Sequence, residues 1–262
     1  MRFETVIRNM RKILVIILLI IIQVPFSGKC QTDESQPKPD RLTALFPTFT
    51  YQWPGGDLAD RFGNSSAIGP GFLYKTTANW IWWADGNFLF GSRMREDSLL
   101  HNLLTSEGGI INEEGYFAGV SLFERGFYAS GRLGKLIPLF GSNKNSGLLI
   151  MAGAGYLQHK IRIQVKENSV PQLRGDYLKG YDRLTDGFMI DQFIGYMYAG
   201  ENKLANFFAG IEIIESWTQN RRSMDFDTMR RDDRKRFDML TGFKIGWIIP
   251  LRKRMPQDYY YF

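Results

Sequence analysis

Cysteine is almost absent from this chain of 262 residues, which has only Cys30, and histidine occurs only as His101 and His159. A disulfide framework and a Cys/His zinc cluster are thereby excluded. Hydrolytic chemistry that needs a histidine base has two positions to choose from. No apolar run reaches the ~20 residues of a spanning helix; the longest stretch, 13–24, has twelve. One-sided charge is lacking as well. The formal +6 includes Arg2, Arg8, Arg11, Lys12 and Lys29 against Glu4 within the first thirty residues, so the remainder holds 28 basic and 26 acidic residues. With +2 left, nucleic acid is not an expected partner.

Four basic residues ahead of a twelve-residue apolar stretch have the form of a secretory leader. Residues 1–30 are therefore expected to be a signal peptide, with Gly28 and Cys30 as the small residues before cleavage. "CQTDES" at 30–35 leaves a second possibility, a lipidated Cys30 followed by an acidic tether.

Aromatics and glycine are plentiful, at 15% Phe, Trp and Tyr with 27 Gly, a pairing suited to strands and tight turns. In "NWIWWADGNFLFG" at 79–91, Trp80, Trp82, Ala84, Gly86, Phe88 and Phe90 share one parity, and Ile81, Trp83, Asp85, Asn87, Leu89 and Gly91 the other. A strand sends the two sets to opposite faces. Similar alternation recurs at 66–76, 116–125, 127–137, 147–163, 188–198, 205–217 and 237–249, with "ERG" read as a turn between the third and fourth of these eight segments. Residues 31–64 contain four prolines and read as an extended periplasmic lead-in.

Alternation alone fits a soluble sandwich or a membrane barrel. Three features favour the barrel: aromatics at segment ends, connections that alternate short and long, and an export leader without a spanning helix. The expected fold is all-β, an eight-stranded antiparallel transmembrane β-barrel over 65–250 with a side-chain-filled interior. Trp80, Trp82, Tyr196, Tyr198, Trp217 and Trp247 are expected at the bilayer interfaces. Lys75, Asp85, Arg125, Arg132, Lys160, Asp191, Glu212 and Lys244, with Asn87, are expected to face inward as a paired ionic network, because a lone buried charge is costly.

Within 93–115, Leu99, Leu100, Leu103 and Leu104 recur at helical spacing. Strand counting places this insertion on the short-turn, periplasmic side, as a short helix that docks a partner or caps the lower mouth. The tail 251–262, ending in Tyr259, Tyr260, Tyr261 and Phe262, is a second periplasmic docking candidate. His159 reads as lipid-facing near the outer rim, with Ser121, Ser130 and Ser216 as conceivable nucleophile partners. The aspartates of "GDYLKGYDRLTDG" at 175–187 fit no EF-hand spacing. The mixed-charge run 221–236 reads as a solvated loop whose arginines are also able to meet lipopolysaccharide phosphates. No cofactor motif is found.

"KIGWIIPL" at 244–251 resembles the assembly signal of outer-membrane barrels of diderm bacteria, placing Lys244, Gly246, Ile249 and Leu251 in it. "GGDLADRFGNSSAIGPGFLYKTTANW", "GAGYLQHKIRIQ", "VPQLRGDYLKGYDRLTDGF" and "YYYF" are similar to a small barrel family of Bacteroidota associated with the type IX secretion and gliding apparatus. That resemblance implies a non-enzymatic outer-membrane subunit whose partners are outer-membrane lipids and other envelope or secretion proteins. A lipid-modifying enzyme and a small transport barrel are the alternatives.

Overall fold

The computed structural model describes residues 41–96, 99–139, 145–166, 170–200 and 206–251; the expected signal peptide, Cys30 and the tail 252–262 lie outside them. Eight long strands form one antiparallel ring: β1 (Leu42–Gly56), β2 (Ser65–Lys75), β3 (Trp80–Gly91), β4 (Val120–Pro138), β5 (Gly147–Val165), β6 (Thr185–Ala199), β7 (Asn206–Asn220) and β8 (Lys235–Trp247). Each pairs with the next, and β1 pairs with both β2 and β8, which closes the sheet. Closure leaves no unpaired edge, as a sheet in hydrocarbon requires. A two-residue β9 (Ile249–Pro250) continues the β8 ladder against β1.

The register fixes the geometry. Partners followed from Leu42 run through Lys75, Ile81, Gly134, Met151, Phe193, Glu212 and Gly242 and return to β1 at Gln52, ten residues further on. With strands ~4.8 Å apart and ~3.3 Å per residue, that offset over eight strands tilts them by about 40°. Each residue then advances ~2.5 Å along the barrel axis, so a ~25 Å apolar band takes about ten residues per strand. At 19 residues each, β4 and β5 project well beyond such a band.

Two differences from the sequence reading offset each other in the strand count. The expected lead-in contains β1, a full wall strand. Beyond Ala44 and Phe46 its inward residues, Thr48, Thr50 and Gln52, are polar while Phe49, Tyr51 and Trp53 face out, an inverted amphipathicity next to prolines. Pro47 and Pro70 face each other across the β1–β2 ladder. The neighbouring ladders skip there, from Ile68↔Phe88 to Gly71↔Asp85 and between β8 and β9, so the missing N–H groups cost little pairing. Conversely, 116–125 and 127–137 are one strand with no turn at "ERG": Glu124 is buried in β4, Arg125 faces out, and residues 116–119 precede the strand.

At one end, β2–β3, β4–β5 and β6–β7 are joined by the short connections 76–79, 139–146 and 200–205. At the other, β1–β2, β3–β4, β5–β6 and β7–β8 are joined by 57–64, 92–119, 166–184 and 221–234. The 93–115 insertion therefore shares its end with the other long loops, contrary to the expected short-turn side. Counting β1 as a strand reverses its assignment. In place of the expected helix, its described residues form a 3₁₀ turn, His101–Leu103, while α1 (Leu58–Arg61) is a single turn in the first loop.

Candidate functional site: a sealed lumen under an outer loop cap

The wall presents an apolar face to its surroundings. Trp80, Trp82, Tyr196, Tyr198, Phe207 and Trp247 form a ring of outward aromatics toward the short-turn end, and Trp53, Phe88, Phe127, Tyr156, Phe188 and Trp217 a second toward the long-loop end. Aliphatic and phenyl side chains such as Phe72, Leu133, Ile150, Ile194, Ile211 and Ile245 lie between. Along the registers the rings are about nine residues apart, ~23 Å, the height of an outer-membrane apolar band. Cross-strand ring pairs Tyr198–Phe207 at 5.3 Å and Phe188–Trp217 at 6.4 Å stiffen each girdle.

The lumen is filled in layers. Toward the short-turn end, Phe46, Trp83, Phe193 and Phe208 form a plug, with ring centroids 4.0 Å apart for Phe46–Trp83 and 4.7 Å for Trp83–Phe208. Glycines make room for it: a Cβ on Gly71 would come within 2.1 Å of the Phe46 ring, and one on Gly246 within 2.3 Å of Phe208.

Above the plug, at mid-wall, is the ionic layer. Arg132 donates through Nε to Asp191 at 2.6 Å and through Nη2 to Glu212 at 2.5 Å, with Asp85 3.3 Å away. Lys244 Nζ donates to Asp85 at 2.5 Å and Glu212 at 2.7 Å. All five charged side chains are 0% exposed. Three carboxylates face two cations, and neutral donors help offset the surplus. Asn87 donates to Asp85 at 2.9 Å, Tyr128 to Glu212 at 3.0 Å, and the Ser130 hydroxyl lies 3.0 and 2.8 Å from Asp85 and Asp191.

Of the eight residues expected in this network, Asp85, Arg132, Asp191, Glu212 and Lys244 are brought together, and three are elsewhere. Lys75 is buried near the short-turn mouth, donating to Asn145 at 2.8 Å. Arg125 and Lys160 are on the outer surface of the wall, directly opposite each other across β4–β5. His159 is the converse correction: it points into the lumen at 0% exposure, 3.0 Å from Asp238 and edge-on to Phe62 at 5.5 Å. Above the girdle the outward surface meets water, so Gln158, Lys160 and Arg162 face out and His159 and Ile161 face in. A polar set read as luminal is there the external one.

Asp238 also accepts from Thr218 at 2.5 Å. Ser130 belongs to the ionic layer and Ser216 donates to the Phe188 carbonyl, so neither serves His159. Tyr128, Ser130 and the aromatic plug were not anticipated as a unit. Their only signal is that they share the inward parity, which does not say which residues meet across the ring.

The four connections at the other end, 57–64, 92–119, 166–184 and 221–234, close the top. Leu58, Phe62, Leu99, Leu100, Val170, Leu173 and Tyr181 pack as one cluster with the upper lumen, and Leu103 packs against it; Leu104 is partly exposed. Leu99 and Leu100, read in sequence as docking a partner or capping the lower mouth, are internal to a cap, and it lies at the end of the long loops. Asn102 donates to Tyr181 at 3.0 Å and to the Phe226 carbonyl at 3.1 Å, tying three loops. Arg183 bridges Glu96 and Asp227, and Arg222 donates to Asp182 at 2.7 and 2.5 Å. The aspartates of 175–187 are all matched by cations, Asp176 by Lys179, Asp182 by Arg222 and Asp186 by Arg221. In the last loop Asp232 sits below the ordinary carboxylate range. Burial pushes it up, but the hydrogen bond from Arg236, the backbone N–H of Arg234 and the charges of Arg236 and Arg61 outweigh that.

No family model matches the sequence, and no curated protein matches it. Among solved structures, the chain is similar to Neisserial surface protein A, at 9% identity over 79% of this chain and 96% of that one, with a TM-score of 0.41. It is similar to Ail, the attachment invasion locus protein of Yersinia pestis, at 8% identity over 79% and 97%, TM-score 0.36. It is also similar to the outer membrane protein OprG from Pseudomonas aeruginosa, at 9% identity over 82% and 98%, TM-score 0.34.

Proposed function

We propose that this chain is an outer-membrane barrel that performs no chemistry and conducts nothing, and that it acts as a scaffold or accessory subunit of an envelope protein complex. The supporting observation is the sealed lumen: an aromatic plug, a fully enclosed ionic layer and a knitted loop cap lie in series, so only the outer surfaces are left to act. An apolar band of outer-membrane height on a closed β-wall supports the location. His159 is buried with its Nε2 against Asp238, and no serine among the described residues hydrogen-bonds to it, which counts against the lipid-modifying alternative. The plug counts against the transport alternative.

Within this reading, the subunit belongs to the type IX secretion translocon of Bacteroidota, a finer statement that rests on the resemblance of the segments at 55–80, 153–164 and 170–188. At the cap, Ile111, Tyr116, Phe117 and Tyr177 are exposed apolar side chains available to a protein partner. Tyr259, Tyr260, Tyr261 and Phe262 of the tail are further docking candidates and lie outside the described residues. Affinity purification of the full chain from detergent-solubilised native membranes is expected to recover envelope proteins in stoichiometric amounts. Recovery of the barrel alone, under detergents that preserve other envelope complexes, would overturn the subunit role.

A further inference from the structure

We infer that the outer surface of β4–β5, just above the upper aromatic girdle, is a binding site for the phosphate groups of a bilayer lipid, formed by Arg125, Lys160 and Arg162. It deepens the outer-membrane reading proposed above and rests on it.

Arg125 and Lys160 are direct cross-strand partners, and Arg162 lies opposite Phe123, next along the same surface. Like charges placed opposite each other destabilise a sheet unless something compensates. Among the described residues, no carboxylate forms an ion pair with any of the three. Arg125 is spent on backbone, donating to the Glu124 carbonyl at 2.7 Å and lying 5.1 Å over the Phe123 ring. The nearest outward carboxylate along the ladder is Asp186, opposite Gln158, and it is already taken by Arg221 and the Tyr156 hydroxyl. The surface thus holds four cations to one acid.

Position identifies what compensates them. Phe127 and Tyr156 belong to the upper girdle, and the row Phe90–Arg125–Lys160 begins just above. Two residues along tilted strands rise ~5 Å, so Lys160 and Arg162 stand roughly 5–15 Å above the hydrocarbon boundary, at headgroup depth. Phosphates there meet guanidinium groups in their preferred forked geometry and a lysine as a point charge. The aromatic row beneath supplies the apolar contact for the same lipid's acyl chains. Charge complementarity and depth together favour a lipid headgroup over a free anion or a protein.

The test uses the full chain in nanodiscs of zwitterionic phosphatidylcholine doped with diphosphorylated lipid A or with its dephosphorylated analogue, with retained glycolipid counted by native mass spectrometry. Retention of the diphosphorylated form is expected to exceed that of the analogue at least tenfold. Arg125→Gln/Lys160→Gln/Arg162→Gln should abolish the difference and Lys160→Gln alone should reduce it, while Lys179→Gln, at an exposed ion pair with Asp176 in the cap, leaves it intact. Removing opposed like charges does not threaten the fold, which heat-modifiable gel mobility verifies. Equal retention of both glycolipids, an undiminished preference in the triple variant, or full displacement by millimolar inorganic phosphate would overturn the site. A chain that never enters the nanodisc would overturn the membrane reading itself, a distinguishable result.

Discussion

Arg132 touches all three carboxylates of the luminal ionic layer, Asp85, Asp191 and Glu212, so its loss would strand charges with no water to take them. Removing one partner of a buried pair costs about 3–5 kcal/mol. Arg132→Met is therefore expected to lower unfolding stability in detergent by about that amount, measured by urea titration, and Arg132→Met/Asp191→Asn should recover part of the loss. If the single and double variants are equally stable, Arg132 and Asp191 are not coupled. A second expectation at this scale concerns acid. Asp232, held low by Arg236, contributes to cap stability above its unfolded value of about 4. That contribution is lost as pH falls through the lower folded value, whereas Asp225, raised chiefly by burial, works in the opposite sense. Protease sensitivity of 221–234 should rise on acidification below about pH 4, and Asp232→Asn should show the raised sensitivity already at neutral pH.

At the scale of strands, bulky rings and glycines are matched across the wall. Gly71→Val would drive a methyl-bearing carbon into the Phe46 ring, and overpacking of this kind costs about 1–3 kcal/mol. The expected result is a less stable or partly unfolded barrel by heat-modifiable mobility, with Phe46→Ala restoring Gly71→Val above either single variant. No rescue would mean the clash is with backbone and not with the ring. Strands were legible in sequence wherever one surface had a single solvent, as in β3, β6 and β8. A period of two tells which residues share a side but not which side it is; that phase is taken from polarity. Polarity misled in two places: in β1, where threonines and glutamine face in beside prolines, and above the girdle in β5, where Lys160 faces water and His159 faces in. Taking "ERG" for a turn had the same origin, since Glu124 and Arg125 lie on opposite sides of one continuous strand.

At the scale of the whole molecule, the girdles, the sealed interior and the loop cap all follow from one circumstance, a wall whose outer solvent is hydrocarbon. The five central ionic residues were legible because charges on the inward parity at mid-wall have no other place to go. Their joining into one layer was not, because register around the ring sets which strands meet across it. A plugged lumen predicts that the purified chain adds no stepwise conductance to a planar bilayer; channel openings would contradict the sealed interior. The most direct measurement places spin labels at Ile194, Ile211 and Ile245, and at Lys160, as single-cysteine variants of the chain carrying Cys30→Ser, reconstituted in lipid. The three isoleucine positions should relax with dissolved oxygen far more than with a water-soluble nickel chelate, and the Lys160 position should do the reverse. Nickel-dominated relaxation at the isoleucine sites, or a chain that remains folded in detergent-free buffer with those sites shielded from both reagents, would contradict it.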